Sequence, residues 1–467
     1  LARLSVDEAA RAVGGRVLGG VSSGDAMIDG AAIDSRAVRG GELFFAFGGT
    51  RTDGHRFVPD AFSRGAAAAM VQEDLSVPAT GALIRVDDTF QALHDLARHV
   101  RSRVPQKLVG ITGSAGKTTT KELLGAMLAA RFRTSWTPGN LNNLYGFPLS
   151  LLNLPDNTEW MVAEMGMSEP GELAKLSLLG RPDAAVFTVV RPVHLEFFDS
   201  VQAIAEAKSE LLAGLAPGGL VVANADDPEV SRIARRHQGA RVVWYGVRSE
   251  DVDVRATEVA PEPDAGIGGI GSRFVLIAGG ERQEVRLPLH GLYNVENCLA
   301  AAACAWALGL SLAEVAGAVR EVQPASMRGV VHRTERGFTL IDDSYNSNPD
   351  AVGRALEGAA VLPASRRVAV LGDMLELGPE GPRFHRESGE RAARLGFSLV
   401  AGVGELSRHL VEGARAAGAE AVWLPDAAAA ADWAAGAVGA GDLVIVKGSR
   451  GVRLEKVVRR LLGEEAG

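Results

Sequence analysis

Short unbroken apolar runs alternate along this chain with longer stretches whose apolar residues return every three or four positions. In the first block, residues 1 to about 104, the runs predict strands at Met27–Ile33, Glu42–Ala46 and Ala82–Val86. Helices are expected near Asp60–Arg64 and over Thr89–Arg103, the latter with Leu93, Leu96, Ala97 and Val100 on one face. Val104-Pro105-Gln106 then breaks the pattern and marks a boundary.

The second block alternates. Lys107–Thr112, Trp160–Glu164, Ala184–Val189 and Leu220–Ala223 are expected strands. The helix opening at Lys117 turns Leu123, Leu124, Met127 and Leu128 inward, and Val201–Leu215 is a further expected helix. Strands alternating with helices predict a parallel sheet covered on both faces. Beyond Trp244 the pattern changes to extended segments, Arg273–Ala278 and Glu284–Pro288, and Pro261–Gly271 reads as a mobile hairpin loop. The Gly-x-Gly-x-x-Gly spacing in that loop lacks a strand-to-helix junction, so it is no dinucleotide fingerprint. Helices over Asn294–Leu308 and Leu312–Val322 close the block.

The third block starts near Gly329, with expected strands at Phe338–Asp342, Arg367–Leu371, Ser398–Ala401, Ala421–Leu424 and Asp442–Lys447, each followed by a helix. This is a second doubly wound unit. The fold expected is α/β in three domains: a small α/β domain over 1–104, a central P-loop parallel-sheet domain over 105–328, and a Rossmann-like domain over 329–467.

Composition narrows the function. A chain of 467 residues is too long for one ordinary core. No segment approaches the ~20 unbroken apolar residues of a membrane span, and Leu1–Ala12 carries both charge signs rather than the pattern of a signal peptide. The net charge of −8, with no basic stripe, argues against a nucleic-acid partner. Cys298 and Cys304 lie six positions apart on one expected helix, on different faces, and read as small core residues. With no disulfide framework the cytoplasm is the expected compartment, and without a coiled coil a monomer is expected.

The firmest chemical signal is Gly113-Ser114-Ala115-Gly116-Lys117-Thr118-Thr119, set between an apolar strand and a helix. Glycines let the backbone turn its N–H groups toward phosphate oxygens, and the helix adds its positive end. Lys117 is then placed for the β and γ phosphates, and Thr118 for Mg²⁺. The strict eight-residue pattern needs glycine at 111, where Ile111 stands, so this is the short Gly-x-x-Gly-Lys-Thr form. Glu164 ends an apolar strand, where a carboxylate faces the ligand crevice of a parallel sheet and can hold Mg²⁺. His194 and Lys208 are single residues that the local pattern alone does not distinguish.

The assembled string resembles the Mur ligases of peptidoglycan synthesis, in the branch that adds D-alanyl-D-alanine. The matching pieces are Asp34-Ser-Arg36, Thr112-Gly-Ser-Ala-Gly-Lys-Thr118, Thr137-Pro-Gly-Asn-Leu-Asn-Asn143, Glu164-Met-Gly-Met167, His194-Leu-Glu196 and Ala207-Lys-Ser-Glu-Leu211. Asn294-Val-Glu-Asn297, Arg328, Asp342-Asp-Ser-Tyr-Asn-Ser-Asn-Pro-Asp350, Leu371-Gly-Asp-Met-Leu-Glu-Leu-Gly378 and Lys447-Gly-Ser-Arg450 follow in the family's order.

The resemblance implies an enzyme using ATP and Mg²⁺. It would join D-alanyl-D-alanine to UDP-N-acetylmuramoyl-tripeptide through an acyl phosphate, giving the pentapeptide, ADP and phosphate. It further implies that Thr118 and Glu164 hold one Mg²⁺, while His194 and a carbamylated Lys208 hold a second. Asn294 and Asn297 would meet adenine, with helix capping as the alternative for Asn294, and Arg328 the nucleotide phosphates. Ser35, Arg36, Asp53 and His55 would receive the UDP part, and Asn140, Asn142 and Asn143 the muramoyl-peptide. Asp343 is assigned to the nucleotide and, with Tyr345, Asn346 and Asn348, to the lining of the dipeptide site. The rival readings are a Mur-type ligase adding a single amino acid, a folate-glutamate ligase, and a P-loop binding module without ligation.

Overall fold

The structure, a computed structural model, describes residues 4–18, 26–49, 52–75, 81–192, 196–237, 239–262 and 270–464. His194 and residues 263–269 of the expected loop therefore lie outside the described residues. The chain forms two compact units, Leu1–Ile111 with Phe132–Ala185 and Glu210–Gly219, and Thr112–Arg131 with Val186–Ser209 and Leu220–Gly467.

In the first unit a five-stranded sheet runs Arg16–Leu18, Ala82–Arg85, Ala68–Val71, Glu42–Phe45, Gly30–Ala32, parallel except for its first pair. Phe44, Ala69, Val71 and Leu83 form its core with Val58 and Phe62 of the helix Val58–Ser63. The expected strand Met27–Ile33 divides at Asp29. Met27–Ile28 pairs with Leu4–Ser5, while Gly30–Ala32 joins the larger sheet. The helix Thr89–Arg103 starts where Asp88 accepts the N–H groups of Phe90 and Gln91, and it buries the four residues expected on its inner face. The unit also carries the strands Thr134–Trp136, Trp160–Glu164, Lys107–Thr112 and Ala184–Phe187, side by side in that order.

In the second unit Leu220–Asn224, Arg241–Gly246, Val254–Glu262, Gly271–Ala278 and Glu281–Leu287 lie side by side in that order. The last three pair antiparallel, with Glu262 opposite Gly271. The strand Val254–Glu262 escapes the periodicity because only Val254 and Ala256 are buried and its register shifts between Thr257 and Ala260. The expected helix Val201–Leu215 ends at Ser209 and tightens into a 3-10 turn over Glu210–Gly214.

A six-stranded sheet completes this unit in the order Val330–Arg333, Thr339–Asp343, Asp442–Lys447, Arg366–Gly372, Leu399–Val403, Glu420–Leu424. All neighbours are parallel except the first pair. Apolar layers cover both faces, one built on Leu356, Phe397 and Leu410, the other on Leu454, Val457 and Ala430. That is the doubly wound arrangement expected. The edge strand Val330–Arg333 was not foreseen, because one face of it is half open and its residues are half polar.

Among the described residues no helix is long and apolar enough to cross a membrane. Cys298 and Cys304 are free, buried thiols, and burial pushes that of Cys298 up to about 12, leaving it inert at neutral pH.

Candidate active site

The glycine loop is shaped by contacts that only glycine permits. A Cβ on Gly113 would fall 1.9 Å from Thr188 Oγ1, and one on Gly116 would fall 2.1 Å from Asn297 Oδ1. Gly116 also has φ +83°, in the left-handed region. The loop is held from one side: Ser114 N–H donates to the Val189 carbonyl at 2.7 Å and the Thr188 hydroxyl to the Ala115 carbonyl at 2.6 Å. Gly116 begins the helix Lys117–Ala129 with no side-chain cap, the arrangement by which a helix N-terminus receives an anion. Lys117 Nζ folds over the loop and donates to the Gly113 carbonyl at 2.8 Å. Thr118 is buried in the first turn, and Thr119 beside it is half-buried.

Lys208 sits in the last turn of the helix Val201–Ser209, 3% exposed. Burial, reinforced by the charge of Lys117, pushes its ammonium well below the usual lysine range. Asn294 and Asn297 lie on the helix Leu292–Ala307, which starts two residues earlier than expected with Gly291 as its cap. The capping alternative for Asn294 is thus corrected: its amide instead donates to the His290 carbonyl at 2.8 Å. Asn297 faces Gly116 of the phosphate loop, as its contact with a Cβ there requires.

Further along the same unit, the Arg328 guanidinium lies 4.0 Å above the Tyr345 ring. Asp343 accepts from Lys447 Nζ at 2.7 Å, and the same ammonium donates to the Asn346 carbonyl at 2.9 Å. Asn348 caps the helix Pro349–Ala360 by accepting the Ala351 N–H at 2.8 Å. Lys447 is 4% exposed, and the sequence reading gave it no role. The available signal was its place at the carboxyl end of an apolar strand, in register with Asp343. Asp373 of the Gly-Asp-Met element has a different task, accepting both the N–H and the hydroxyl of Ser407.

In the first unit Glu164 ends its strand only 2% exposed, and the Asn142 amide donates to Oε1 at 2.6 Å. It is therefore no solvated strand-end charge. Asn143 accepts the N–H groups of Tyr145 and Gly146 and so starts the helix Gly146–Leu152, while Asn140 is exposed. A cleft of about 710 Å³ is lined by Asp34, Ser35, Arg36, Phe47, Phe57 and Asp60, among others. Arg36 pairs with Asp34 there at 2.6 Å and holds its carboxyl below the usual range. The two phenylalanines carried no motif and were not foreseen. His55 is buried with both ring nitrogens engaged: Nε2 accepts the Gln72 N–H at 2.9 Å, and Nδ1 donates to Asp53 at 2.7 Å. Asp53 also accepts the His55 N–H, so this pair fixes the loop.

Three family descriptions match the chain: "Mur ligase family, catalytic domain" over residues 27–101, "Mur ligase middle domain" over 111–305, and "Mur ligase, glutamate ligase domain" over 327–450. The chain belongs to the Mur ligase family. Among its relatives, the UDP-N-acetylmuramoyl-tripeptide–D-alanyl-D-alanine ligase of Bacillus subtilis is 33% identical over 443 residues, with 93% of each chain covered. The enzyme of the same name from Escherichia coli is 33% identical over 446 residues, covering 95% of this chain and 96% of its own. The crystal structure of MurF from Acinetobacter baumannii matches with a TM-score of 0.87 at 28% identity, covering 99% of this chain and all of its own. MurF ligase from Thermotoga maritima in complex with ADP matches at 0.79 and 28% identity, over 93% and 97% of the two chains. The Mur ligase fold has three α/β domains, and this chain is a ligase of that fold.

Proposed function

We propose that this Mur ligase joins D-alanyl-D-alanine to UDP-N-acetylmuramoyl-tripeptide at the expense of ATP, with domains spanning 1–104, 105–328 and 329–467. The observation that carries the reading is the glycine loop closed against Asn297, with the buried Lys208 amine close enough to Lys117 for the two charges to oppose each other. The relatives that share this whole chain carry that activity in their names.

The residues fit the groups that the reaction needs. A glycine loop packed too tightly for a Cβ at Gly113 or Gly116, leading into a helix start with no side-chain cap, suits a triphosphate. Thr118 and Glu164 each carry an oxygen suited to Mg²⁺ and would hold one ion, and His194 with a carbamylated Lys208 would hold a second. As an ammonium, lysine has no lone pair to give Mg²⁺. With its pKa depressed, however, Lys208 is available as the neutral amine that adds carbon dioxide and becomes an oxygen donor. Bound Mg²⁺ supplies charge neutralisation between the substrate carboxylate and the γ-phosphate.

In the reaction a carboxylate oxygen of the tripeptide attacks the γ-phosphorus, and the bond from that phosphorus to ADP breaks. The dipeptide amine then attacks the acyl carbon, loses a proton, and phosphate leaves. Lys117 and the helix start hold the phosphates, Asn294 and Asn297 the adenine, and Arg328 the phosphate charge. Asp343 serves the nucleotide and, with Tyr345, Asn346 and Asn348, the dipeptide end. Ser35, Arg36, Asp53 and His55 serve the uridine diphosphate; Asn140, Asn142 and Asn143 serve the muramoyl-peptide.

Product mass after incubation with UDP-muramoyl-tripeptide, ATP, Mg²⁺ and D-alanyl-D-alanine tests the activity. Addition of a single amino acid in preference to the dipeptide would overturn it. A ¹³C carbamate signal from ¹³C-bicarbonate, absent in Lys208→Arg, tests the modification. Full activity without bicarbonate and no signal would remove it.

A further inference from the structure

Arg191 stands where three elements of the second unit meet. Its backbone is locked to the phosphate loop: the N–H donates to Ser114 Oγ at 2.9 Å and the carbonyl accepts the Ser114 hydroxyl at 3.0 Å. Its guanidinium reaches two carboxylates, with Nη1 donating to Asp227 Oδ2 at 2.5 Å and Nε to Asp350 Oδ1 at 3.2 Å. Asp227 is fixed in turn, since it caps the helix Pro228–Arg236 and accepts the Val190 N–H.

Asp350 lies in the first turn of the helix Pro349–Ala360, directly after Asn348. One turn on, Arg354 Nε is 2.9 Å from Asp350 Oδ2, an ion pair off the hydrogen-bond axis. Arg354 Nη1 donates to Glu296, which sits between Asn294 and Asn297. Five alternating charges, Asp227, Arg191, Asp350, Arg354 and Glu296, thus run from the phosphate loop through the helix after Asn348 to the helix of the two asparagines. Their side chains are between 1% and 23% exposed, so salt screens them poorly.

We propose that Arg191 and Asp350 are positioning residues: they couple occupancy of the phosphate loop to the placement of the Tyr345–Asn348 segment. Nucleotide then tightens the binding of D-alanyl-D-alanine, and the dipeptide tightens nucleotide by the same factor. The inference rests on the functional reading above, which gives that segment to the dipeptide. A purely structural set of ion pairs would change stability and leave this factor untouched.

The test is calorimetric titration of D-alanyl-D-alanine onto the full chain saturated with UDP-muramoyl-tripeptide, with and without Mg²⁺ and β,γ-methylene-ATP. The ratio of the two dipeptide affinities is the coupling factor. Asp350→Asn is expected to reduce it by about fivefold or more, within the range seen for contacting residues. Asp350→Glu, which keeps the charge, retains most of it. Glu296→Gln breaks the chain at its far end and reduces the factor by less; it also carries the test if Asp350→Asn does not fold. A wild-type factor near one, or an unchanged factor in the folded variants, overturns the proposal. A wild-type chain that takes no dipeptide overturns the functional reading instead, a distinct result.

Discussion

Gly116→Ala probes the phosphate loop more sharply than removal of any side chain in it. The substitution imposes two costs. An L-residue at φ +83° pays about 1–2 kcal/mol for the left-handed backbone. The new Cβ would also lie 2.1 Å from Asn297 Oδ1, so the Asn297 side chain must leave its rotamer, adding about 1 kcal/mol. The sum is roughly 2–3 kcal/mol, or a fall in melting temperature of roughly 5 °C or more for a cooperative unit of ordinary domain size. The control is Gly218→Ala: Gly218 has φ +71° but nothing within 4 Å of its Cβ position, so it carries the backbone cost alone. Thermal unfolding reads the stability difference between the two variants. Steady-state kinetics then reads the displacement of Asn297, expected as an ATP KM raised about tenfold or more, since each tenfold corresponds to about 1.4 kcal/mol. If Gly116→Ala keeps the wild-type ATP KM while matching Gly218→Ala in stability, the claim that Asn297 and the loop are fitted to each other fails.

Lys447→Met strips the ammonium from Asp343, which is 17% exposed, and is expected to cost about 3 kcal/mol. Adding Asp343→Asn recovers part of that in denaturant midpoints, whereas a simple packing loss would be additive. Asn142→Ala removes the donor to Glu164 and is expected to raise the Mg²⁺ concentration for half-maximal activity about tenfold or more, from the roughly 1.5–3 kcal/mol of a hydrogen bond to a charged group; an unchanged Mg²⁺ curve would leave Asn142 without that role. Burial lowers the pKa values of His94 and His385, so below about pH 6.5 the unfolded chain takes up protons that the folded chain refuses. Stability is therefore expected to fall as pH drops through that window. The difference between unfolding midpoints at pH 7.5 and 5.5 should shrink in His385→Gln, and an equal difference would exclude the histidine as a cause.

Much of this protein was legible in its linear pattern. The runs Lys107–Thr112, Trp160–Glu164 and Asp442–Lys447 are strands because buried parallel strands are apolar on both faces and need no tertiary information to be seen. The glycine loop was visible because its spacing encodes local backbone geometry. Where one face is open or the register shifts, as in Val330–Arg333 and Val254–Glu262, the pattern was too weak to mark a strand.

The partners of the polar residues were decided elsewhere. Asn142 on Glu164, Lys447 on Asp343, Arg191 between Asp227 and Asp350, and Asn297 against Gly116 join positions from 22 to 181 residues apart in the chain, which only the fold brings together. A single residue carries no signal of such a partner, because its hydrogen-bonding capacity is the same whether water or a buried carboxylate satisfies it. The sequence alone therefore determined most of the elements, the phosphate loop and the family. Only the tertiary structure decided which charges are buried, and burial is what depresses the Lys208 amine and makes the Arg191 network costly to dismantle.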